Sequence, residues 1–233
     1  MRIRRAGDAA LIAEFSQTLD PAAAARARAL ELALLADPPP GLIETMPALR
    51  SLLVRFDPLR LSGRALAARL AALAQDLPEA PAPAARRWRI PICYEAPFAL
   101  DLAEVATRTG LSEEEVIARH LGSDFTVLMV GSYPGHPYLG GLDPALALPR
   151  RAPPRTRLPA GSVGIAETMS NIYPQEAPGG WNILGRTPIP LFDAGWESPA
   201  LLAAGDRVRF VRITAEAFAE IAGRPFRAEE WAA

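Results

Sequence analysis

Between Gly131 and Pro188 the sequence concentrates residues that could grip and transform a small molecule. Four arginines, Arg150, Arg151, Arg155 and Arg157, fall within eight residues and are interleaved with prolines. A guanidinium fork binds a carboxylate or phosphate through two parallel hydrogen bonds, and a proline-stiffened backbone loses less entropy in holding it there. The spacing therefore predicts an anion-binding groove lined by Arg150, Arg155 and Arg157, with Arg151 in a solvated ion pair. Arg186 and Thr187 join this set, because a charged residue closing an apolar strand needs a partner. In the run PGGWNILGRTP, Gly179 and Gly180 would let backbone N–H groups approach a bound carbonyl or oxyanion, and Trp181 would wall the pocket. A hairpin turn with its indole in the core is the structural alternative.

Two histidines complete the chemical inventory. His136 sits in PGHPYLGG, where turn geometry is expected to expose it beside Tyr138, ready to pass protons. His120 closes a helix, where the macrodipole would favour its cation; that role explains it as well as catalysis does. The expected catalytic set is thus His136, His120 and Tyr138. Two histidines without a neighbouring carboxylate motif make a poor metal site, and none is expected. Ser162 in PAGSVGI lacks the strand-elbow-helix context of a hydrolase serine and reads as part of a turn, while Cys93 reads as a small buried hydrophobe. All 25 basic residues are arginine. This removes Schiff-base chemistry and the phosphate-holding lysine of a P-loop, so ATP would not be held here in that way; no cofactor is expected on this chain.

These residues need a scaffold, and 233 residues, 50% hydrophobic and 22% charged, supply an ordinary globular one. The net charge of −1 argues against nucleic acid or an anionic membrane as a partner. With a single cysteine, no disulfide framework is available and a reducing cytoplasm fits. No apolar stretch of about 18 residues reads as a membrane span or leader.

The composition breaks at PEAPAPAA, residues 78–85, which predicts a linker between an amino-terminal domain over residues 1–85 and a second over 86–233. The first carries 10 arginines against 9 acidic residues and the second 15 against 17, so neither is a charged arm. Leu52, Val54 and Phe56 alternate as in a half-buried strand, with further short strands around Ile3 and Leu11–Phe15. Asp20 followed by Pro21 starts one helix, and Ser62 starts another with Leu66, Leu70, Leu73 and Leu77 on one face. This is a small α+β domain. After the linker, RRWRIPICY reads as a strand. Two short helices begin with capping-box spacing at Asp101/Glu104 and Ser112/Glu115, and Gly110 and Gly122 end them. Runs such as FTVLMV and DRVRFVRI among dense Pro and Gly predict a compact β-barrel or sandwich, followed by a short helix and an exposed end from about Thr214.

The pieces PGHPYLGGLDP, PRTRLPAGSVGIA, IYP, PGGWNILGRTP and GDRVRF, in this order, resemble the signature of the 5-oxoprolinase B-subunit family, also called the KipI or allophanate hydrolase subunit 1 family. The resemblance implies a ferredoxin-like amino-terminal domain and a cyclophilin-like barrel. It also implies two partner chains, a C-type subunit of the KipA or allophanate hydrolase subunit 2 kind and an A-type subunit. The implied joint reaction is ATP-dependent opening of 5-oxo-L-proline to L-glutamate. A second implied role is inhibition of a sporulation histidine kinase without chemistry. Prolyl isomerase activity does not follow from the barrel. The sequence departs from the family pattern at Ser132 and His136, where GF-x-PGF has aromatics, and at Glu167, Thr168 and Asn171, where IAGGQTGIYP has glycines. These departures point to a cyclic amide or urea-like compound other than 5-oxoproline.

Overall fold

The computed structural model describes residues 1–18, 20–77 and 86–232. The expected linker at 78–85 lies outside the described residues. The chain divides into two compact units, Met1–Pro83 and Ala84–Ala233.

In the first unit, strands β1 (Arg2–Arg5), β2 (Ala10–Glu14), β3 (Leu42–Pro47) and β4 (Ser51–Phe56) form an antiparallel sheet in the order β1-β2-β4-β3. Helix α1 (Pro21–Ala36) follows β2 and α2 (Gly63–Leu73) follows β4. Both start where the sequence indicates: the Asp20 carboxylate accepts the Ala22 N–H at 2.9 Å and Ser62 Oγ accepts the Ala65 N–H at 3.2 Å. Leu52, Val54 and Phe56 alternate onto the buried face of β4 and meet Leu30 and Leu34 of α1 and Leu66 and Leu70 of α2 in one core.

The second unit is built on a closed barrel with strand order β10-β7-β6-β13-β5-β12-β9. Its strands are β5 (Arg87–Cys93), β6 (Phe125–Val130), β7 (Pro137–Gly140), β9 (Ser162–Ala166), β10 (Met169–Ile172), β12 (Asn182–Arg186) and β13 (Arg207–Ile213). β13 runs parallel to β5, whereas the other barrel pairings are antiparallel. Two further strands, β8 (Arg155–Leu158) and β11 (Ala177–Gly179), pair outside the barrel. Closure leaves the barrel no free edge, and its interior is filled by branched and aromatic side chains including Ile90, Ile92, Phe125, Ile165 and Phe210.

Helices α3 (Leu102–Thr109) and α4 (Glu113–Gly122) pack Val105, Ala106, Val116 and Ile117 against this core. The Ser112/Glu115 capping box forms in both directions and Gly110 ends α3 in the left-handed conformation. The Asp101/Glu104 box does not form: Asp101 makes no side-chain cap, because its carboxylate is taken by arginines described below. Helix α5 (Ala215–Ala222) begins at Thr214. The end beyond it is largely exposed, as expected, and is tethered to the barrel: the Arg89 N–H donates to the Trp231 carbonyl at 2.8 Å and Trp231 packs on the barrel core.

Gly161 is the tightest of the turn glycines, with φ +82° and an added Cβ only 2.2 Å from the Thr187 carbonyl oxygen. The Thr187 N–H donates back to the Gly161 carbonyl at 2.9 Å, which locks the turn before β9 to the end of β12. Gly161→Ala combines a left-handed φ with a steric clash and is expected to lower stability by about 2 kcal/mol or more, read as a shifted urea midpoint.

Candidate functional site

The arginine-rich segment does not form the open groove its spacing suggests. Asp101 is buried at the start of α3, and a buried carboxylate must be paired and hydrogen-bonded. Arg155 satisfies it with two bonds, 2.8 Å to Oδ2 and 2.6 Å to Oδ1. Arg151 adds a third at 3.0 Å while holding Glu104 at 2.6 Å, and the Ile183 N–H adds a fourth at 2.7 Å. Arg155 is therefore occupied by an internal partner rather than presented to a ligand, and Arg151 is drawn into the same network instead of a solvated pair. Arg157 is exposed and pairs with Glu176 at 2.7 Å. Arg186 is half-buried, donates from Nε to the Ala160 carbonyl at 2.7 Å and lies over the Phe218 ring; burial lowers its pKa. That leaves Arg150, which is exposed, beside Gly180, and without a carboxylate within ion-pair distance among the described residues.

A second cluster forms around His136. The turn between β6 and β7 brings Ser132 back over it, with Ser132 Oγ 2.9 Å from His136 Nδ1 and 3.1 Å from the Tyr138 hydroxyl. On the other side His136 Nε2 lies 2.9 Å from the Asn171 carboxamide, which is fully buried on β10. The β7/β10 register sets Asn171 opposite Tyr138. Tyr173 lies 5.3 Å from the imidazole and Trp181 meets Tyr138 edge-on at 5.9 Å between ring centroids. His136 is only 3% exposed, so the turn buries it where the sequence suggested exposure. What reaches the surface is Ser132, at φ +67°, a conformation that is uncommon outside glycine. Burial lowers the His136 pKa to about 4 and raises that of Tyr173.

The glycines and Trp181 serve this cluster. A Cβ at Gly179 would lie 2.0 Å from the Tyr173 hydroxyl, so Gly179 makes room for a phenol, while Gly180 accepts the Arg151 N–H at 2.7 Å. Trp181 is buried. Thr187 is buried in the turn lock and accepts the Ile189 N–H. His120 lies away from this row, fully buried and stacked on Phe210; its Nδ1 is 2.7 Å from the Tyr94 hydroxyl and its Nε2 is 3.3 Å from Ser170 Oγ. Desolvation lowers its pKa to about 3, which outweighs the helix dipole and keeps it neutral rather than cationic.

The chain matches the family described as carboxyltransferase domain, subdomain C and D, over residues 1–202. It is 38% identical to the 5-oxoprolinase B subunit of Bacillus subtilis, over 91% of this chain and 93% of that protein. The chain belongs to the 5-oxoprolinase B-subunit family. The Escherichia coli O157:H7 relative of the same name is 46% identical over 57% of this chain and 61% of its own length. Among solved structures, TTHA0988 superposes with a TM-score of 0.78 at 39% identity; it covers 92% of this chain, which spans only 40% of TTHA0988. The urea amidolyase of K. lactis shares the fold at 24% identity and a TM-score of 0.77.

Within this member of the 5-oxoprolinase B-subunit family, the departures at Ser132, His136 and Asn171 meet in space as one hydrogen-bonded row. Glu167 and Thr168 are exposed, and Glu167 takes a left-handed φ of +52°. Ser132, Asn171 and Tyr173 are site residues that residue-type reasoning did not select, and neither was Asp101. The signal available for the first two was their simultaneous departure from the family pattern.

Two outcomes test this geometry. Asp101→Ala leaves Arg151 and Arg155 without their shared acceptor and is expected to cost about 3–5 kcal/mol in urea unfolding, with Asp101→Asn intermediate. Folding keeps both histidines neutral, with pKa values of about 3 and 4 against an ordinary 6.5. The unfolded chain therefore binds more protons between pH 6.5 and 4. Stability is fully present above that window and falls as pH is lowered through it. His136→Phe should flatten, without abolishing, the fall in unfolding midpoint over this range.

Proposed function

We propose that this chain is the B-type subunit of an ATP-dependent amide-hydrolysing assembly of the 5-oxoprolinase type, working beside C-type and A-type partner chains on a cyclic amide. The observation that carries this reading is the match, over nearly the full length of both proteins, to the 5-oxoprolinase B subunit of Bacillus subtilis. Relatives named urea amidolyase and putative urea carboxylase share part of the chain, which supports a place among subunits or domains that act on amide and urea-type compounds. The barrel is read as cyclophilin-like. The amino-terminal sheet is read as a ferredoxin-like layout whose edge strand β1 comes from the amino end.

In this reading ATP is held by a partner. The chain contains no lysine to cradle its phosphates, which supports that division of labour. The substrate's carboxylate meets Arg150, an exposed arginine of the expected groove with no carboxylate in ion-pair distance among the described residues. Tyr138 and Ser132 supply paired hydroxyls, and His136 orients Ser132 from behind. The departures at Ser132, His136 and Asn171 favour a cyclic amide or urea-like compound that offers a further hydrogen-bonding group over 5-oxoproline itself.

Reconstitution with the two partners tests this. ATP-dependent ring opening of 5-oxoproline or of a urea-like cyclic amide is expected. A charge-assisted bond contributes about 1.5–3 kcal/mol, so Arg150→Ala should raise KM roughly 10- to 100-fold. Absence of ADP formation with every cyclic amide offered would remove the assembly reading, and an unchanged KM would remove Arg150.

A further inference from the structure

Ser132, His136 and Asn171 are arranged from the surface inwards as hydroxyl, imidazole and carboxamide, each 2.9 Å from the next. This is the order required of a nucleophile, the base that takes its proton, and the group that fixes the base's tautomer. Such a relay requires Asn171 to hold the His136 Nε2 proton through its Oδ1. Asn171 Oδ1 is buried and has no hydrogen-bond partner. Turning the carboxamide by 180° about its Cγ bond exchanges the two terminal atoms and sets Oδ1 against His136 Nε2. Oδ1 then takes the Nε2 proton, and Nδ2 faces the position where Oδ1 had no partner. His136 Nδ1 is left with its lone pair aimed at Ser132 Oγ. Burial lowers the His136 pKa to about 4, which keeps the imidazole unprotonated at neutral pH. The strained left-handed backbone of Ser132 holds the hydroxyl over it at the surface. Tyr138 supplies a second hydroxyl at 3.1 Å from Oγ.

We propose that Ser132, His136 and Asn171 form a nucleophilic relay through which this chain by itself accepts an acyl group from an activated carbonyl compound. The Ser132 Oγ–carbon bond forms as the carbonyl π pair moves onto its oxygen, and the hydroxyl proton passes to His136 Nδ1. Collapse breaks the bond from carbon to the leaving nitrogen or oxygen, which takes that proton from His136. Water then repeats the sequence, with its proton going to Nδ1 and on to Ser132 Oγ. The products are a carboxylic acid, the protonated leaving group and the free serine. This chemistry needs neither nucleotide nor partner chain, so it stands or falls separately from the assembly proposed above.

The probe is diisopropyl fluorophosphate on the full chain alone, read by intact mass and peptide mapping. Phosphorus replaces the carbonyl carbon: the Oγ–P bond forms, fluoride leaves and His136 takes the proton. One diisopropylphosphoryl group on Ser132 is expected, absent in Ser132→Ala. Its rate of attachment should drop at least about 100-fold in His136→Phe, whose ring fills the same aromatic slot. No modification of the wild-type chain, modification elsewhere, or an unchanged rate in His136→Phe overturns the proposal. Should His136→Phe fail to fold, ¹⁵N spectra of the wild-type chain decide instead, since it holds only two histidines. A proton on Nε2 of His136 supports the relay, and a proton on Nδ1 overturns it.

Discussion

The carboxylate of Asp101 is the point on which the second unit's loops depend. It lies buried at the head of α3 and collects two bonds from Arg155, one from Arg151 and one from the Ile183 backbone. A helix start, the arginine-proline segment and barrel strand β12 thereby share one acceptor. The arrangement follows from electrostatics at low dielectric: an ionised group withdrawn from water holds whatever donors it has, because losing one leaves a charge with no compensation. The prolines between the arginines stiffen the segment that this charge anchors. Arg150 is fixed next to the Trp181 turn because the Arg151 N–H donates to the Gly180 carbonyl.

The two histidines show how burial decides chemical role. Both are neutral for the same reason, desolvation, yet their neighbours differ. His120 is enclosed by Phe125, Phe210 and Tyr94 and serves the barrel interior. His136 is covered on its outer side by the exposed Ser132, so a group that never meets solvent still communicates with it through one hydroxyl. The chemistry of this face rests on short side chains in front of a buried ring.

Much of the scaffold was legible in the sequence, because it is written in local codes. Asp20, Ser62 and Ser112 announce their helices by short-range caps, and the alternation of Leu52, Val54 and Phe56 announces the buried face of β4. The Asp101/Glu104 spacing misled for an instructive reason. A capping signature spans four residues, whereas the claim that Arg155 makes on Asp101 spans 54 residues and cannot be read from either end alone. The same long reach turned the arginine cluster from an expected groove into a strut. His136 stands out in the sequence as a chemical residue, but not as a buried one. Its burial comes from Tyr138, Tyr173 and Asn171, which barrel register assembles from two separate segments. Ser132 and Asn171 carry no motif of their own.

The placement of β13 has a bearing on where this protein can be cut. The family match ends at residue 202, yet β13, residues 207–213, fills the gap between β5 and β6 and is the parallel member of the cylinder. A fragment ending at the family boundary would keep every residue of the Ser132 and Asp101 clusters but would open the cylinder into a sheet with two naked rims. Unpaired amide rows of that kind invite pairing between molecules, so such a fragment would retain its chemistry on paper and self-associate in solution.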